Sequence, residues 1–373
     1  MKMMKKFAVV LLALLIALSA CGCLHEKDEV AVTVGDVEFT SAYYLCSFLF
    51  ADLTAQQKVS EALAEKEKDT SDIDYRTQKV EGKEYQKWVK EEALKTVKNN
   101  AAYRILCDKN KVELEEDVKK EITTQLENMW ASYSTWFEEN GVYRTTLEKY
   151  LTDTYYQSAY FEYLYGKEGT KAPTADEVTA KMVDNLVLAD MLQASFTTYD
   201  QTTYEQKKLS DAEITELKNK FNTYVSELNS GKKTFEQVYH EYNKSEQSTD
   251  TEITDFGESD VAPQNRHASI LGSKEAENYT SEHFDTAKAM AVGEAKVVEL
   301  EESAGLVLIV KRDIIADKYY ADNYDLVVRY LLKQDEFDKT IEDYVKTLKV
   351  TVDDSAVDRF EATDITEMPQ MYY

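Results

Sequence analysis

The chain has 373 residues and a formal net charge of −26, with 70 Asp and Glu against 44 Lys and Arg. So acidic a protein is repelled by nucleic acid and by anionic lipid headgroups, and no Lys/Arg cluster with interleaved aromatics makes a local exception. Three prolines and 11 glycines are few for this length, which favours helix, and a chain this long suits two domains better than one.

Lys2, Lys5 and Lys6 precede an apolar run, Phe7 to Leu18, that is too short to span a bilayer, so residues 1–20 read as a signal peptide. Leu18-Ser19-Ala20-Cys21 then has the form of a lipoprotein processing site, which makes Cys21 the predicted acylated, palmitate-bearing N-terminus. Cys23 is the alternative acceptor, and plain secretory cleavage after Ala20 is the other reading. Loss of residues 1–20 removes three lysines and no acid, taking the charge from −26 to −29. Residues 21–30 are charged and read as a tether between lipid and folded body. The expectation is an extracytoplasmic protein anchored to the membrane by an N-terminal lipid.

Beyond the processing site only Cys46 and Cys107 remain; both read as small buried residues on apolar helix faces, with a bridge between them left open. His25, His240, His267 and His283 are scattered without metal-ligand spacing, so no metal and no cofactor are predicted.

Val30 to Thr40 alternates apolar and polar around Gly35-Asp36, the pattern of a small hairpin. Thr40 or Ser41 then caps a helix with Tyr44, Leu45, Phe48, Leu49 and Leu53 on its apolar face. Glu65 to Lys83 is charged and aperiodic, and reads as a loop or a weak helix end. Helices follow closely from Tyr85 to Tyr165. Ile122, Leu126, Met129, Tyr133 and Phe137 form one stripe, Asn140-Gly141 ends it, and Leu147, Leu151, Tyr155 and Ala159 begin the next. Gly166 to Pro173 breaks the run, and Thr174 with Glu177 makes a capping box.

Leu192 to Thr197 is a predicted strand. Ile214, Leu217, Phe221, Val225 and Leu228 mark an amphipathic helix ended by Gly231, and Phe235, Val238 and Tyr239 a further short helical turn. Asn243 to Ala276 is polar and reads as a loop. Phe284 to Met290 reads as a short helix, Val292-Gly293-Glu294 as a turn, Lys296 to Leu300 as a strand and Gly305 to Lys311 as a fully buried strand. Past Asp317 helix returns, with Tyr324, Val327, Val328, Leu331 and Leu332 in one stripe and Phe337, Ile341, Val345 and Leu348 in another, out of phase. Lys349 to Val352 alternates as a strand that can pair with Val32 to Val34, which would make the central region an insertion between two halves of one helical body. Ala362 to Tyr373 has no pattern and is expected to fray.

This order resembles that of the lipoprotein foldases of the PrsA type and their SurA-type chaperone relatives. Val34-Gly35-Asp36-Val37-Glu38-Phe39-Thr40 is similar to their opening hairpin, and Phe337 to Val352 to their closing helix and strand. Asn229-Ser230-Gly231 with Phe235 and Tyr242, then Asp255-Phe256-Gly257, then Phe284 with Val292-Gly293-Glu294 and Gly305, fall in the order of a parvulin-type prolyl isomerase domain. The resemblance implies an α+β fold. It would comprise a mostly helical N-terminal chaperone-like domain (31–183), an inserted parvulin-like α/β domain (184–316), a C-terminal helix and strand returning to the N-terminal domain (317–361), and a tail (362–373).

In active parvulins one histidine follows Ala-Ser in the first strand and another follows a Gly-aromatic pair in the last. The matching positions here hold Phe196 and Val307, and Asp250 and Asp255 match the family's acidic or cysteine partner only loosely. The resemblance therefore supplies no catalytic residue, while Phe196, Phe256, Phe284 and Val307 are the candidates for a peptide groove. The plainer role for Phe196 and Val307 is core packing between paired strands. His283 beside Phe284 reads as a surface or capping residue.

The function implied is a membrane-anchored foldase or holding chaperone for unfolded or proline-containing exported polypeptides. Prolyl isomerase activity is doubtful without the two histidines. The alternatives are an active isomerase using other polar groups, and a non-catalytic surface-binding or assembly lipoprotein on the same scaffold.

Overall fold

The computed structural model describes residues 29–64, 74–199, 206–246, 268–300 and 305–369. The expectations at residues 1–28, Cys21 and Cys23 among them, and at Asp250, Asp255, Phe256 and His267 lie outside the described residues. The structure mixes helix and sheet, an α+β arrangement, in two compact units. One comprises the chain up to Leu164 and from Asp335 onward with Glu168–Thr170; the other comprises Tyr165–Lys167 and Lys171–Gln334.

The first unit opens on the expected hairpin, β1 (Val30–Val34) and β2 (Val37–Thr40), which turns at Gly35 with φ +59°. That left-handed conformation suits glycine, and a Cβ there would also stand 3.3 Å from Ile105 Cδ1. Helix α1 (Ser41–Ala64) follows at once, with Thr40 Oγ1 accepting from the Tyr43 N–H at 3.2 Å as its cap. Tyr43, Tyr44, Cys46, Phe48 and Leu49 are all at most 1% exposed, so the start of this helix is buried nearly all round. Cys46 and Cys107 are free buried thiols; burial pushes Cys107 up to about 12 and Cys46 higher still.

Part of the segment expected to be a loop is ordered. Tyr75–Thr77 form a 3-10 turn, and β3 (Lys79–Val80) pairs with β4 (Lys83–Glu84). Strands of two residues carry no readable alternation, so their charge dominated the pattern. Asp52, 1% exposed, ties this segment to α1 by accepting from Arg76 Nη2 at 3.1 Å and from the Tyr85 hydroxyl at 2.9 Å. Helices α2 (Tyr85–Asn110), α3 (Glu116–Glu139) and α4 (Arg144–Tyr165) complete this half. Ile122, Leu126 and Phe137 are buried on α3, and Gly141 turns the chain out of it at φ +82°.

In the second unit, α5 (Ala175–Asn185) starts with both bonds of the Thr174–Glu177 capping box in place. It passes directly into β5 (Leu186–Ser195), so this strand starts at Leu186 rather than Leu192. Leu186 to Ala189 are at most 3% exposed in a central strand, and an unbroken apolar run behind a helix reads as more helix. Next come β6 (Thr197–Tyr199), β7 (Gln206–Lys208), α6 (Asp211–Asn229) and α7 (Phe235–Glu246), the last a full helix rather than a turn. Strand β8 (Ala268–Gly272) lies inside the expected loop; five residues without regular alternation of burial give a weak signal among polar neighbours. Then follow α8 (Phe284–Ala289), β9 (Ala295–Leu300) and β10 (Gly305–Arg312). The antiparallel sheet has the order β8-β5-β10-β9, with the first strand in the middle.

Helix α9 (Lys318–Asn323) leads to α10 (Asp325–Thr347). Val328 packs in the core of the second unit, whereas Phe337 meets Tyr103 and Phe161 of the first. The change of phase between Leu332 and Phe337 thus marks where one helix passes from one unit's residues to the other's. Strand β11 (Val350–Val352) pairs antiparallel with β1, Val32 opposite Val352 and Val34 opposite Val350, as the alternation had suggested. The expected fraying fails as far as residue 369. After α11 (Asp354–Val357), Ala362 and Ile365 are buried, and Thr366 bonds to both Trp136 and Asn140. Isolated anchors of this kind leave no periodic trace; residues 370–373 lie outside the described residues.

Candidate functional site

Opposed residues of antiparallel strands share a face, so the register assigns each side chain of the second unit's sheet. Val307 stands opposite Gln193 and Val298, Ile309 opposite Met191, and Val187 opposite Leu271. On this face Phe284, Ala287 and Met290 cover the apolar residues. Leu192, Ala194 and Phe196 join Leu306 and Leu308 on the other face, under Phe221, Tyr224, Phe235 and Val238.

Of the expected groove residues, Phe284 and Val307 therefore come together and Phe196 does not. Phe196 is 6% exposed on the opposite face, with Lys218 Nζ 5.5 Å from its ring centre. Phe256 lies outside the described residues. Of the β5 residues on Val307's face, Met191 and Gln193 lie nearest to it and are not fully covered, and sequence reasoning missed both. Their signal was the alternation along β5, which becomes legible only once the strand is started at Leu186.

Exposure on this face rises along β5 from a covered end at Ala189 to an open end at Ser195, while Val307 and Ile309 of β10 stay buried. Val307, Ile309 and Ala189 are 0% exposed, Met191 and Val298 are half-buried, and Gln193, Ser195 and Lys296 are exposed. The side-chain amide of Gln193 makes no hydrogen bond with the described residues, so it stands free beside an apolar floor. Helix α8 is held over the covered end by Lys311, whose Nζ donates to the carbonyls of Lys288 at 2.7 Å and Met290 at 2.8 Å. Desolvation, then the nearby Lys288 charge, pull the Lys311 pKa below the ordinary lysine value. His283, at the head of α8, is 6% exposed and its side chain makes no cap bond, so it is neither the surface residue nor the side-chain cap expected; its Nε2 stands 3.4 Å from Glu282.

An apolar floor with one free amide at its edge can take up an apolar side chain or a proline ring, exclude water from it, and offer a hydrogen bond to a neighbouring carbonyl. Rotation about an X-Pro bond crosses a barrier of about 18–20 kcal/mol and needs no nucleophile, base or metal. Among the described residues no group of three or more His, Cys, Asp or Glu side chains forms a cation site, and no helix is long and apolar enough to cross a membrane.

No protein-family model matches the chain, and no curated protein matches its sequence. Among solved structures it is similar to foldase protein PrsA from Streptococcus pneumoniae str. Canada MDR_19A, at 13% identity over 74% of this chain and 92% of that one, TM-score 0.39. It is also similar to foldase protein PrsA from Lactococcus lactis, at 10% identity over 88% of this chain and 96% of that one, TM-score 0.36. Likeness at this level carries no residue-by-residue correspondence, so the site rests on its own geometry.

Proposed function

We propose that this protein is an extracytoplasmic folding factor that holds unfolded stretches of exported polypeptides and is tethered to the membrane through a lipid on Cys21. The observation that carries this reading is the half-covered apolar face around Val307, open at Met191 and Val298 and edged by the unpartnered amide of Gln193. Such a face favours apolar client side chains at roughly 1.5–3 kcal/mol each on full burial, enough for reversible holding and too little for tight capture of any one residue.

Aggregation of a denatured model client, followed by light scattering, tests the reading. The purified protein slows aggregation, and Met191→Lys, which places a charge on a half-buried residue packed at the edge of that cluster, weakens the effect at least several-fold with the fold retained by circular dichroism. A protein that neither slows aggregation nor binds unfolded polypeptide removes the proposal.

Gln193 supports a second reading, prolyl isomerisation, because its amide stands directly across from Val307, where a hydrogen bond to a twisting carbonyl would be useful. Uncatalysed exchange takes tens to hundreds of seconds, so catalysis of a short Pro-containing peptide is readily measured. On this reading Gln193→Leu returns the rate to the uncatalysed value while client holding persists.

A further inference from the structure

The helical unit contains a cavity of about 740 Å³, within the roughly 300–1,000 Å³ usual for ligand sites. Three helices line it. From α2 come Glu92, Thr96, Asn99 and Tyr103, from α4 Tyr150, Thr154 and Gln157, and from α10 Ile341 and Val345. Within each helix these residues recur at steps of three or four, so each turns one face to the cavity for at least a full turn. Glu92 to Tyr103 alone spans roughly 16 Å at about 1.5 Å per residue, the length of about five extended residues at roughly 3.3 Å each.

The wall mixes polar and apolar groups in about equal measure, and part of its hydrogen-bonding capacity is unused. Asn100 donates to the Tyr43 hydroxyl at 2.9 Å and is committed to the core. Asn99 and Gln157 are half-buried and have no hydrogen-bond partner among the described residues. Of the charged residues on the rim, Glu91 meets Lys83 at 2.6 Å, Glu92 meets Lys95 at 3.4 Å and Glu342 meets Lys346 at 2.9 Å, while the Lys98 ammonium has no partner among the described residues. The groups left for a ligand are therefore the two neutral amides and one cation.

Two ligand classes fit a trough whose walls carry free hydrogen-bonding groups among apolar ones, and the aromatic residues separate them. A sugar ring lays its C–H face on an open aromatic face. Here Tyr103 is 4% exposed and stacked on Phe337 at 5.9 Å, and Tyr150 is 8% exposed and stacked on Phe50 at 4.9 Å. Little ring surface is left for a sugar. A peptide unit, by contrast, presents one N–H and one C=O, and a primary amide such as Asn99 or Gln157 supplies the complementary donor and acceptor.

We infer that this cavity binds an extended stretch of polypeptide through its main chain. The inference rests on the reading that the protein holds unfolded chains, and it adds a grip on the helical unit that is indifferent to client side chains. Met191 and Val298 select apolar residues, whereas Asn99 and Gln157 select an extended backbone.

The test is fluorescence anisotropy of a short dye-labelled peptide of Ser, Thr, Gln and Ala, chosen because it offers the sheet face nothing apolar. The parent protein binds it, and the N99A/Q157A variant, its fold checked by circular dichroism, binds about tenfold or more weakly, the order expected for two neutral hydrogen bonds. The same peptide with N-methylated amides loses affinity for the parent by a similar factor. Equal binding by parent and variant, or of methylated and unmethylated peptide, overturns the inference and leaves the sheet face standing, since that face is read by Met191→Lys in the aggregation assay. Saturable binding of a neutral oligosaccharide that is lost in the variant, with no peptide binding, overturns it in favour of a glycan. Failure of the parent to bind any unfolded polypeptide removes the reading beneath it.

Discussion

The two units bury their apolar residues in different ways. The first gathers residues from Ala31 to Ile365 into one large cluster, with Phe39, Tyr43, Phe48 and Phe137 all 0% exposed, beside a smaller buried group around Tyr103, Phe161 and Phe337. The second divides its core around a sheet into three smaller clusters, of which the one on Val307's face is only partly covered. A continuous core is close-packed and intolerant of lost volume, whereas a sheet face with an open end gives up little when an edge residue changes. The position of a candidate client surface in the second unit follows from that difference.

Phe137→Ala breaks the comparison most severely. Its ring is 0% exposed and meets Trp136 at 4.9 Å, Trp130 at 6.2 Å and Phe50 at 6.3 Å, so truncation costs about 3–5 kcal/mol in urea unfolding. Met191→Ala, half-buried at the open end of the sheet face, costs about 1 kcal/mol or less and reports on client holding instead. If the two substitutions prove equally destabilising, the sheet face is closed and is no docking surface.

Asp52→Ala comes next. It strips the Tyr85 hydroxyl and Arg76 of a carboxylate that is 1% exposed, and a loss of about 3 kcal/mol is expected in thermal or urea unfolding. Thr174→Ala is milder. It removes one cap of a well-formed capping box in the second unit, at a cost of about 1 kcal/mol by the same measurement.

What the sequence revealed followed from periodicity. The hairpin at Gly35, the stripe through Ile122 and Phe137, the box at Thr174 and the return of Val350–Val352 to β1 are all local patterns, or pairs of patterns, and all are present. The candidate site was only half legible. Phe284 and Val307 share a face, but Phe196 lies on the other, because which residues of two strands share a face depends on their pairing register, and no local pattern carries that. Asn99 and Gln157 were invisible for another reason: unpaired amides on amphipathic helices look like ordinary surface until three helices are brought around them.

The smallest effect expected is one of pH, and it probes whether the continuous core carries strain. Asp153 is 3% exposed, with Oδ1 3.5 Å from Arg104 Nε and Oδ2 without a partner among the described residues. Burial raises its pKa although Arg104, Tyr43 and Lys149 all act to lower it. Between the unfolded value, about 3.9, and the higher folded one, the native state holds more protons than the unfolded state, so stability falls as pH rises through that window. Asp153→Asn has no such proton to lose. The stability of the parent relative to the variant, from urea midpoints across acidic to neutral pH, therefore declines from below about pH 4 upward and then levels off. Parallel profiles for the two proteins would mean that the carboxylate is well solvated, and the helical unit would then be looser around Tyr43 than its packing implies, a property that would bear directly on whether the neighbouring cavity is a fixed trough or one that forms around its ligand.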